Sequence, residues 1–127
     1  MESRQDNLIN QNNEAKLEGE YKRKVIAQMF GNIGTIHEDF ACALEEKILL
    51  QGRMFIASSG ICFYSNIFGH EKKLLLPWEG VACVTKEKTA LVIPNALAVV
   101  TARREYVFRS FWDRDEAYAV LQRRYRA

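Results

Sequence analysis

Between Lys86 and Pro94 the chain reads Lys86-Glu87-Lys88-Thr89-Ala90-Leu91-Val92-Ile93-Pro94, so two ammonium groups are followed closely by an apolar run. Two chemistries fit that juxtaposition. A lysine held near an anionic bilayer gains about 1 kcal/mol, and an apolar side chain inserted beside it adds burial energy that sets the depth. Alternatively, the lysines form a solvated loop balanced by Glu87, while Leu91, Val92 and Ile93 pack into a core as an apolar run between strands normally does. Lys72-Lys73 and Arg103-Arg104 are further basic pairs. Hairpin tips commonly carry charge for solubility, so these are secondary candidates, and their weight depends on whether they share a face with Lys86.

Covalent and acid-base chemistry has less to work with. An enzyme needs a nucleophile with its base, paired carboxylates or a metal cluster. His37, Asp39, Glu45 and Glu46 are close in sequence, but the two glutamates precede a turn and stand in no motif. No glycine-rich phosphate loop of the usual spacing is present. His37 and His70 are not at ligand spacing. Cys42, Cys62 and Cys83 are odd in number, far apart and set among apolar residues, which suits small buried hydrophobes in a reducing compartment. The expectation is a non-enzyme with no catalytic residue, no metal and no cofactor. Trp78 and Trp112 sit at element boundaries, where a large ring usually closes the core. Asn95 after Pro94 reads first as a turn device, and Arg114-Asp115 as a structural ion pair or cap.

The composition sets the frame for these groups. At 127 residues and 48% hydrophobic, the chain suits one domain with one core. Eighteen Lys and Arg against sixteen Asp and Glu leave a net charge of +2, which does not argue for a nucleic-acid partner. No apolar run approaches the ~20 residues that span a bilayer, and no apolar leader opens the sequence, so a soluble chain is expected.

The elements follow from periodicity. Residues 1–17 are poor in apolar groups and read as a disordered tail, with the domain proper over 18–127. Glu18 to Phe30 reads as a short helix, with Tyr21, Val25 and Met29 on one stripe and Gly31 as its stop. Lys22, Arg23 and Lys24 make it basic, so it either packs on the domain or lies on a membrane. Strands are then expected over Phe40 to Lys47, Ile48 to Ala57, Gly60 to Gly69, Lys72 to Trp78, Val81 to Thr85, Ala96 to Ala102 and Tyr106 to Phe111. Lys86-Glu87-Lys88-Thr89 reads as a charged break between two of them. Gly60 to Gly69 carries bulky groups on both faces and needs cover on two sides, while Gly52 suggests a bulge or bend. Asp113, with Glu116 three residues on, starts a last helix whose stripe is Ala117, Val120, Leu121 and Tyr125. The fold class is therefore mainly β with α: a pleckstrin-homology-like curled barrel or sandwich of seven strands, capped by a C-terminal helix.

Several separate stretches also resemble one family. Phe40-Ala41-Cys42-Ala43-Leu44, Ile48 to Ile56, Ile61 to Gly69, Lys86 to Ala90 with Ile93 to Ala96, and Phe108 to Phe111 with Arg114-Asp115 occur in the order found in GRAM domains. Within that family the sequence is most similar to the GRAM domains of the Aster/LAM sterol-transfer proteins. The resemblance implies a membrane-targeting module that recognises anionic lipid, phosphatidylserine or phosphoinositide, in some members helped by sterol, on a cytosolic leaflet. The implied lipid-binding set is Lys86, Lys88, Thr89, Leu91, Val92 and Pro94, with Lys72, Lys73, Arg103 and Arg104 as secondary basic candidates. It also implies a cytoplasmic, peripheral location, including endoplasmic reticulum and plasma membrane contacts, within a larger membrane-contact or lipid-transport protein whose other domains are further partners. The alternative from another class is a protein-protein interaction module, which offers a peptide the open edge between strands or the groove beside the last helix.

Overall fold

The computed structural model describes residues 19–89 and 93–126, in two units whose boundary falls between Asn32 and Ile33. The first unit contributes helix α1 over residues 19–30. As the sequence indicates, α1 stops at Gly31, whose N–H donates to the Ala27 carbonyl at 3.0 Å and whose φ of +82° suits a residue without Cβ.

The second unit opens with Ile36–Glu45 (β1), Leu49–Ala57 (β2), Gly60–Ile67 (β3) and His70–Pro77 (β4), an antiparallel meander in which each strand pairs with the one before it. A 3-10 turn over Trp78–Gly80 leads to Val81–Thr89 (β5), Ile93–Thr101 (β6) and Glu105–Arg109 (β7), also antiparallel. β7 returns to β1 through Ala43↔Arg109 and Leu44↔Phe108, giving one seven-stranded sheet of order β4-β3-β2-β1-β7-β6-β5. The edges, β4 and β5, are joined by a single 3-10 turn of 3 residues. Laid flat, six interstrand spacings would separate them by about 29 Å, whereas three residues reach about 10 Å. The sheet therefore curls, as expected of the mainly β architecture.

Alternate residues of the strands fill the inside of the curl. Cys42 and Leu44, Met54 and Ile56, Ile61 and Phe63, and Leu97 and Val99 meet Phe108 there, together with Ala117, Val120 and Leu121 from the last helix, Arg114–Arg126 (α2). Phe63 and Phe108 stack tilted at 5.6 Å between ring centroids, linking the meander to the second strand set. Gly52 is required because a Cβ there would be driven into the Tyr64 carbonyl of β3, where Ser65 Oγ also donates to the Gln51 carbonyl at 2.6 Å.

Several boundaries differ from those read in the sequence, among them the start of β1, which is Ile36 rather than Phe40. Lys86 to Thr89 belongs to β5 rather than to a charged break, because its backbone pairs with β6 whatever its side chains carry, with a register shift between Glu87 and Thr89. Pro94 and Asn95 likewise lie in β6. β3 ends at Ile67, which leaves Phe68 in the turn. Cys42 and Cys62 are buried as anticipated, but Cys83 is exposed.

Candidate functional site

Lys86 and Lys88 sit on the same strand but meet different surroundings. Lys86, across from Leu97, places Nζ 3.2 Å from Asp115 Oδ1 and 4.9 Å from the centroid of the Tyr118 ring, so it bridges β5 to the first turns of α2. The hydrogen bond and charge of Lys86, with a smaller contribution from Arg114, hold the Asp115 carboxyl below its usual range. Arg114, nearly buried, donates from Nη1 to the Glu87 carbonyl at 2.7 Å and from Nε to Asp115 at 3.3 Å, which is the structural role its sequence context suggests. Lys88 instead lines a cleft of about 310 Å³ with Glu45, Glu87, Glu105 and Arg109.

Helix α2 is fixed at its start by Asp113, whose carboxylate accepts from the Glu116 N–H at 3.1 Å. Further along, Gln122 donates to the Val84 carbonyl at 3.3 Å and Tyr125 to the Ala82 carbonyl at 2.7 Å. With Arg114, these side chains take up carbonyls along β5, so the helix closes that edge to an added strand.

The tip of the β5–β6 hairpin carries the apolar half of the surface. Ile93 and Pro94 are exposed, while Ala90, Leu91 and Val92, and the side chain of Thr89, lie outside the described residues. The Phe111 N–H donates to the Asn95 carbonyl at 3.2 Å, which brings the β7–α2 corner beside the hairpin. At that corner Ser110 has a φ of +66°, Phe111 is buried and Trp112 is fully exposed at 102%. The ring expected to close the core therefore faces out, because Phe111 already occupies the slot. Trp78 behaves as its position suggests, packing on the core and donating Nε1–H to the Ala57 carbonyl at 3.1 Å.

The secondary basic pairs gather elsewhere. Lys72 and Arg104 both reach Glu46, Nζ to Oε1 and Nη1 to Oε2, each at 3.6 Å, and Arg104 also lies 4.2 Å from the centroid of the Tyr106 ring. Lys73 is 4.0 Å from Glu71, which also accepts from Tyr64 Oη at 3.0 Å; that hydrogen bond raises the Tyr64 pKa. Lys86 is not among them. Its partner Leu97 lies four residues along β6 from Thr101, where the turn to Arg103 and Arg104 begins, a distance of about 13 Å.

The meander end near Glu46 has its own apolar tips. Ile48 is 65% exposed in the β1–β2 turn and Phe68 is 98% exposed in the β3–β4 turn. Phe68 and Gly69 have φ of +51° and +83°, a two-residue hairpin turn with both central residues left-handed. Such turns favour Asn-Gly, so the sequence signal was a Phe placed where Asn belongs.

Comparisons with known proteins bear on this geometry. The family model described as GRAM domain matches residues 22–127. The chain is 45% identical over 84 residues to Protein VASCULAR ASSOCIATED DEATH 1, chloroplastic, of Arabidopsis thaliana, covering 66% of this chain and 14% of that protein. It is 44% identical over 85 residues to Protein Aster-A of Homo sapiens, covering 67% of this chain and 12% of that protein. It is 40% identical over 87 residues to human GRAM domain-containing protein 2B, covering 68% of this chain and 20% of that protein. The match thus spans a fifth or less of these relatives. Among solved structures, the C-terminal domain of an unknown protein from Leishmania infantum superposes with a TM-score of 0.69 at 26% identity, covering 87% of this chain and 99% of that one.

Proposed function

This chain belongs to the GRAM domain family, and from that premise we propose that it is a non-catalytic membrane-targeting module that binds anionic lipid through the β5–β6 tip and the β7–α2 corner. The observation that carries the reading is Trp112, a fully exposed indole at the β7–α2 corner, which the Phe111 N–H joins to the Asn95 carbonyl one residue after exposed Ile93 and Pro94. Lys86 reaches the start of the same helix through Asp115. Indole and aliphatic groups enter the headgroup boundary, and the lysines supply attraction to phosphatidylserine or phosphoinositide. Thr89, Leu91 and Val92 complete the proposed contact, with sterol as a neighbouring ligand. Lys86 is shared between Asp115 and the bilayer, so it contributes less than an unpaired lysine would. Within a longer protein, such a module would place other domains at a cytosolic membrane contact.

The test is vesicle co-sedimentation across phosphatidylserine, phosphoinositide and cholesterol contents. Binding is expected to rise with anionic lipid, to weaken with salt and to fall when Lys86 and Lys88 are neutralised or Trp112 is replaced by Ser. Equal binding to neutral and anionic vesicles would sink the proposal.

A second reading rests on Phe68 and Ile48. Exposed apolar residues at the opposite hairpin ends, among the compensated charges of Glu46, Lys72 and Arg104, suit a protein partner. In that case the Phe68→Ser variant loses partner binding while vesicle binding is unaffected.

A further inference from the structure

A cleft of about 300 Å³ lies between the β2–β3 turn and the last turn of α2, lined by His37, Ala57, Ser58, Trp78, Arg124 and Tyr125. Its chemistry is one-sided. The lining contains a guanidinium, an imidazole and a hydroxyl but no carboxylate, and Arg124 forms no ion pair among the described residues. Arg123 and Arg126 stand in the same helical turn and add to the local positive potential.

The polar groups are held in place. Ser58 Oγ accepts from the Thr35 N–H at 3.1 Å and lies 3.3 Å from His37 Nε2, so imidazole and hydroxyl face the same space. Trp78 and Tyr125 are each tethered by their own polar atom to a backbone carbonyl, which leaves their rings as fixed walls. Ser58 Oγ also donates to the Thr35 carbonyl at 3.3 Å, so its one proton is committed and its part is to orient the His37 ring. A guanidinium fork with an imidazole N–H is a donor set for tetrahedral oxyanions, and the indole wall suits a flat or apolar body attached to one.

We propose that this cleft binds a phosphate monoester carried on a small aromatic or apolar body, with Arg124 and His37 as the anion-binding residues. The site is separate from the membrane-contact surface. Arg124 is nine residues along α2 from Asp115, the partner of Lys86, or about 14 Å of helix. The proposal does not depend on the lipid reading.

The experiment uses the whole chain with Trp112→Phe, so that indole fluorescence reports Trp78. Phenyl phosphate is expected to give a saturable change, inorganic phosphate a weaker one and phenol none. Arg124→Gln should weaken phenyl phosphate binding about tenfold or more, and His37→Ala severalfold, with unchanged thermal melts because both side chains lie in the cleft wall rather than the core. Should Arg124→Gln not fold, His37→Ala alone decides. Soluble phenyl phosphate and vesicles bearing phosphatidic acid, whose phosphate is also a monoester on an apolar body, identify the source: loss of the first alone in Arg124→Gln assigns a soluble ligand, loss of both assigns a headgroup, and loss of neither overturns the proposal. No saturable response to phenyl phosphate, or equal affinity in parent and variants, overturns the proposal.

Discussion

Phe68 holds a left-handed backbone conformation that a bulky residue adopts only at a cost, and it exposes nearly all of its ring. Neither property helps the fold. Phe68→Asn is therefore expected to stabilise the domain by about 1 kcal/mol, seen as a higher melting temperature, because Asn suits the turn. Vesicle binding should survive the change if the bilayer meets the Trp112 end. The residue scale also shows what a sequence hides. That Trp112 faces out depends on Phe111 winning the buried position, and that Lys72 and Arg104 share Glu46 depends on pairing between distant turns. Neither is visible in local spacing, whereas the Asp113 cap is, because an N-cap bond joins residues three apart.

At the scale of elements, periodicity was a good guide wherever one face of a strand met the core. The alternation of Met54 and Ile56, or Ile61 and Phe63, locates β2 and β3 directly. It failed at the β5–β6 hairpin, where strand pairing runs through Lys86 and Glu87 and resumes at Thr89 past a register shift, with no apolar alternation to mark it. The N-terminal half of β1 was missed for a similar reason, since Ile36 to Asp39 interleaves charge with only one buried residue. The close approach of β2 to β3 can be tested at Gly52. Gly52→Ala should cost about 3 kcal/mol, measured by urea denaturation, because the methyl group meets the Tyr64 carbonyl and the Ser65 Cβ rather than open space.

For the whole molecule, buried thiols couple stability to alkaline pH. Burial pushes the Cys42 pKa up to about 12 and that of Cys62 up to about 11, from 9.0. The folded state thus holds these protons more tightly than the unfolded chain. The stability they contribute is complete below pH 9 and is lost as pH rises from there through 11 and 12. The urea midpoint should fall between pH 9 and 11, with Cys42 alone contributing a slope of up to ~1.4 kcal/mol per pH unit, and the Cys42→Ala, Cys62→Ala double variant should flatten it. Cys83, being exposed, should be alkylated before the two buried thiols.

The join between β1 and β7 has a kinetic meaning. Each hairpin pairs near neighbours in the chain, but Ala43↔Arg109 links residues 109 − 43 = 66 apart through only two paired positions. Closing that span carries the largest loop entropy and gains the fewest backbone bonds, so it is expected to be the slow step of assembly. The two strand sets are folding neighbours before they are one sheet, and the Phe63–Phe108 contact is what makes their meeting worthwhile.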